Sequence, residues 1–166
     1  MKASWDIVVR CSSVMLLIVT LSGYSASEER NKYICSEPNP ESMCTAKNTC
    51  GSATAPCTID VKRTADSAAV TPDIPGAKSN APFCVKSGTT ITWKSLSKNT
   101  GFVVDFGPSA PFEPAGAAII GGSDRSPSVV AKKPGCYKFS TGACVSVAAY
   151  GMCASVDTEL VVTGGN

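Results

Sequence analysis

The chain has 166 residues, a formal net charge of +2 and no histidine. Its basic residues are scattered, with Lys62-Arg63 and Lys132-Lys133 the only adjacent pairs, so there is no basic stripe to follow a phosphate backbone, which speaks against nucleic acid as a partner. The lack of imidazole removes the commonest general base and the commonest metal ligand together.

The first feature in chain order is an apolar run, Val14 to Leu21, preceded by Lys2 and Arg10 and followed by the small residues Ser22, Gly23, Ser25, Ala26 and Ser27. This is a signal-peptide layout, expected over residues 1–26. The run is shorter than the roughly 20 residues of a comfortable membrane span, so contact with a membrane is expected only through this segment. Cys11 precedes the run and is expected to leave with it. Eight cysteines then remain: Cys35, Cys44, Cys50, Cys57, Cys84, Cys136, Cys144 and Cys153. An even set behind a signal predicts four disulfides and a secreted or periplasmic location.

Residues 27–57 are polar and turn-rich and hold four of these cysteines. Disulfides are expected there rather than zinc, because no two of the four stand two residues apart and no histidine is present. Eight cysteines allow 105 pairings. The expected grouping closes the four N-terminal cysteines among themselves, and Cys84, Cys136, Cys144 and Cys153 likewise.

Residues 58–166 read as one all-β domain. Thr58 to Lys62 alternates apolar and polar, as a half-buried strand does. Ala65 to Pro82 is proline-bearing and reads as loop or sheet edge. Phe83 to Lys86 ends in a Ser87-Gly88 turn, and Thr89 to Ser95 is a β-branched strand carrying Trp93, the expected core anchor. Gly101 to Phe106 is a further strand. Gly107 to Ser128 reads as a long insertion-like loop. Its Gly121-Gly122-Ser123 lacks the Gly-Lys-Ser/Thr of a phosphate loop. Ser128 to Ala131, Cys136 to Phe139 and Thr158 to Thr163 complete about seven strands, the pattern of a sandwich with Greek-key crossing.

Two stretches carry a resemblance. Pro134-Gly-Cys-Tyr-Lys-Phe139, followed by Gly151-Met152 and a closing strand, is similar to the end of a cupredoxin, and Thr89 to Trp93 with Gly101 to Phe106 resembles that family's core hairpin. Together they span roughly Phe83 to Thr163. The resemblance implies a cupredoxin-like Greek-key β-sandwich, preceded here by a disulfide-rich extension. It also implies where a copper site would lie. A blue-copper centre takes two His, a Cys thiolate and usually an axial Met, and the overlay puts Phe102 or its neighbours at the first His, the ligand Cys near Thr141 and the second His near Cys144. Met152 alone keeps the family's residue type, and a soft Cu(I) site there would need Cys144 or Cys153 as a free thiolate.

Other chemistry finds little footing. Ser95 to Lys98 is a turn rather than an activated Ser-x-x-Lys element. A carboxylate pair would have to come from Asp105, Glu113, Asp124, Asp157 or Glu159, each expected to be a solvated surface charge. No Cys-x-x-Cys occurs for thiol–disulfide chemistry. The resulting expectation is an exported, non-catalytic binding or structural module without a cofactor, taking an unknown protein or small-molecule ligand. Its candidate surface is the Pro108 to Pro127 loop with Phe112, together with the Cys144 to Tyr150 loop. The alternative is a divergent copper-binding or electron-transfer protein.

Overall fold

The computed structural model describes residues 33–113, 116, 118–145 and 153–164. The expected signal segment, Cys11, Tyr150 and Met152 lie outside the described residues. In chain order the strands are β1 (Cys57–Arg63), β2 (Ala68–Pro72), β3 (Phe83–Lys86), β4 (Thr90–Lys94), β5 (Thr100–Asp105), β6 (Phe112–Glu113), β7 (Ala118–Gly122), β8 (Ser128–Ala131), β9 (Gly135–Val145) and β10 (Cys153–Thr163). They form two five-stranded sheets. The first has the order β2-β1-β4-β8-β6 and the second β3-β10-β9-β5-β7. Each sheet contains one parallel pair, β1 with β4 and β3 with β10; the other pairs are antiparallel.

Period-two patterning explains why the two sheets meet. In β5, Thr100, Phe102 and Val104 are buried while Gly101, Val103 and Asp105 are exposed. Strands β1 and β4 likewise bury Ile59, Val61, Ile91 and Trp93. These residues pack with Phe83, Val85, Phe139, Leu160 and Val162 of the second sheet in one core. Trp93 is fully buried, as its sequence context predicts, and meets Phe139 edge-on at 5.7 Å and Phe106 at 6.4 Å between ring centroids. Each such edge-on pair contributes about 0.5–1.5 kcal/mol beyond its area burial.

The strand count is ten among the described residues rather than about seven, for local reasons. β2 is an edge strand beside β1, where Pro72 withholds no hydrogen bond from a further neighbour. β6 and β7 lie inside the stretch expected to be loop. β9 runs past Phe139 to Val145 because Thr141 and Ala143 continue the inward alternation against β5, although neither is a strong apolar signal.

All eight expected cysteines are bonded, but the expected grouping is only half right. Cys50–Cys57 and Cys144–Cys153 are local, whereas Cys35–Cys136 and Cys44–Cys84 join the N-terminal segment to the second sheet. The register supplies the reason. Val161 of β10 is opposite both Cys84 of β3 and Cys136 of β9, so the two cysteines flank it in a row on the sheet's outer face. The N-terminal segment lies across that row as a cap, with short 3-10 helices at Ile34–Ser36 and Pro40–Met43, and Val161 beneath it is fully buried. Beyond the cap, residues 48–50 cover the free edge of β3: the Cys50 N–H donates to the Cys84 carbonyl at 2.8 Å, and the Cys84 N–H to the Asn48 carbonyl at 2.9 Å. Four disulfides in so small a unit belong to an oxidising, extracytoplasmic environment. Among the described residues no helix is long and apolar enough to cross a membrane.

Candidate functional site

The positions that the family overlay assigned to copper do not converge. Phe102 is opposite Ala143, Val104 opposite Thr141 and Gly101 opposite Cys144 in the β5–β9 ladder. Because successive side chains of a strand point to opposite faces, Phe102 and Thr141 project into the core while Cys144 projects outward. Phe102 is 4% exposed and its ring covers Gly121 of β7. Thr141 is fully buried, and its hydroxyl has no hydrogen-bond partner. Cys144 is bonded to Cys153 directly across the hairpin, so neither offers a thiolate. A phenyl ring, a buried hydroxyl and a disulfide sulfur facing the other way do not make a donor set for type 1 copper. Among the described residues, no three His, Cys, Asp or Glu side chains gather closely enough to hold a metal ion.

The expected loop surface is also different from its sequence reading. Phe112 is 1% exposed and packs edge-on against Phe106 at 4.8 Å, so it belongs to the core and presents no aromatic to a ligand. Residues 146–150 of the second expected loop lie outside the described residues. Glu159, expected to be solvated, is 2% exposed. It does point outward from β10, but the cap lies over it, and its carboxylate accepts the backbone N–H groups of Ile34 at 2.6 Å and Cys35 at 3.1 Å.

A polar cleft of about 410 Å³ opens beside the cap, on the outer face of the second sheet. Its floor is one cross-strand row: Asp105 of β5 is opposite Ser140 of β9, and Ser140 is opposite Asp157 of β10. Ser140 Oγ donates to Asp157 Oδ1 at 2.5 Å, and Asp105 Oδ1 accepts the Gly107 N–H at 2.7 Å. The two aspartates are two strand spacings apart, about 9–10 Å between backbones. Tyr33 of the cap forms the wall. The residue is 46% exposed, and its ring carries the Lys138 ammonium 4.0 Å from its centroid. Past Tyr33 a second trough of about 300 Å³ continues toward Asn80 and Pro82, and Asp157 lines both.

Sequence reasoning had Asp105 and Asp157 among five scattered carboxylates and did not single out Tyr33. Only the register of three strands, and a cap folded back over more than a hundred residues of chain, bring them together. Comparison with protein families and with curated proteins gives no match.

Proposed function

We propose that this chain is an exported, non-catalytic binding or structural module, built on a cupredoxin-like Greek-key β-sandwich without a type 1 copper site. The observation that carries this reading is the divergence of Phe102, Thr141 and Cys144: two face the core, the third is tied in an outward disulfide, and none is a copper donor as it stands. Two packed sheets, the long β9–β10 hairpin and a buried Trp93 support the family resemblance. The disulfides support export, and the open polar cleft on a disulfide-braced face supports binding.

Metal titration of the purified, oxidised chain tests it. The expected result is an intact mass matching four disulfides and no stoichiometric uptake of Cu(I) or Cu(II). Tight one-to-one copper binding that Met152→Ala abolishes would overturn the reading in favour of a divergent copper protein.

A further inference from the structure

We propose that the cleft beside Tyr33 binds a neutral saccharide chain, an inference that rests on the binding-module reading above. The charge pattern selects the class. A cationic ligand would use Asp105 and Asp157 but meet Lys138, while an anionic one would use Lys138 but meet both aspartates. An uncharged polyol uses every group: its hydroxyls donate to the carboxylates and to the Ser140 oxygen, whose own proton is held by Asp157, and accept from the ammonium.

The aromatic wall adds a second criterion. Tyr33 lines both troughs, and its partly exposed side chain offers apolar ring surface to the C–H face of a pyranose. Because Asp157 lines both troughs, consecutive sugar units can lie on either side of the ring, which favours a chain over a single sugar. The platform is held before any ligand arrives. Ile34 and Cys35, the two residues after Tyr33, are fastened by the Glu159 carboxylate and the Cys35–Cys136 bond, so the backbone beside the platform has little ordering entropy left to lose on binding.

The test uses the oxidised full exported chain, titrated with neutral hexasaccharides of glucose, mannose, xylose and N-acetylglucosamine, and with a cationic glucosamine and an anionic galacturonate oligomer. Amide chemical shifts are the readout. At least one neutral oligomer is expected to bind and to move Tyr33, Ser140 and Asp157. Tyr33→Ala and Asp105→Asn should each weaken that binding at least about tenfold, while Ile120→Ala, on the same sheet face outside the cleft, leaves it unchanged. Asp105 belongs to β5 and not to the cap, so its variant still reports on the cleft if loss of Tyr33 loosens the N-terminal segment.

Any of three results would overturn the proposal: no neutral oligomer bound up to ~10 mM, binding confined to a charged oligomer, or binding indifferent to both cleft variants. The copper titration keeps the two readings separable. A chain that takes neither copper nor saccharide loses this inference alone, whereas one that takes copper loses the metal-free reading whatever the oligomers do.

Discussion

At Gly121 the absence of a side chain is a packing requirement. A Cβ there would collide with Phe102 Cζ and stand 2.8 Å from Pro127 Cδ and 2.9 Å from the Arg125 carbonyl oxygen. Gly121→Ala is therefore expected to destabilise the fold by about 1–3 kcal/mol, the usual cost of overpacking, read as a lower thermal midpoint. Tyr137 makes a different kind of contact. Its hydroxyl donates to the Lys133 carbonyl at 2.9 Å, across the turn before β9, and burial pushes its phenol above the ordinary value of 10.0. The folded chain thus holds this proton more tightly than the unfolded chain does. The stabilisation is complete below pH 10 and is lost as the pH climbs through the raised value. Tyr137→Phe should cost about 1 kcal/mol at neutral pH, and urea titrations should show its deficit relative to the parent narrowing on the alkaline side. Of these contacts, the sequence reveals the Pro-Gly turn and the tyrosine beyond it. It does not reveal the Phe102–Gly121 contact, because β7 lies in a stretch whose proline and glycine content reads as loop.

Among the elements, the cap depends on Glu159 as much as on its disulfides. A carboxylate offers acceptor oxygens to both the Ile34 and Cys35 N–H groups, whereas glutamine keeps one acceptor and turns an amide donor toward them. Glu159→Gln should cost about 1–3 kcal/mol and speed amide exchange at Ile34 and Cys35 ahead of the sheet amides. Glu159, expected to be a solvated surface charge like Asp157, shares its outward face but is buried. Its burial was not legible, because period-two alternation reports which way a side chain points and not what lies over it. The same limit explains Phe112. Its short strand β6 pairs with β8 at the edge of the first sheet, and the proline-bearing segment around it carries no alternation. Strands β1, β4 and β5 alternate strongly and were legible for that reason.

For the molecule as a whole, the disulfides differ in how much chain they restrain. Cys35–Cys136 spans 101 residues and Cys144–Cys153 spans nine. In the chain-entropy model the logarithm of that ratio corresponds to about 2 kcal/mol. Paired serine substitutions at Cys35 and Cys136 should lower the unfolding free energy by about that much more than those at Cys144 and Cys153, measured by urea denaturation. The all-β class and the bonding of all eight cysteines could be read from residue order, since both follow from local pattern and parity. Which cysteines meet, and which acidic residues share the cleft, depended on the register between strands far apart in the chain.

The row Cys84–Val161–Cys136 also sets a timetable for assembly. Synthesis delivers the N-terminal end first, yet β10 occupies the place between β3 and β9, so β3 joins the second sheet only when residues 153–163 have arrived. Cys35 and Cys44 have their partners 101 and 40 residues further on, whereas Cys50 and Cys57 stand seven residues apart. The two bonds that hold the cap are thus anchored on strands that the last strand of the chain joins.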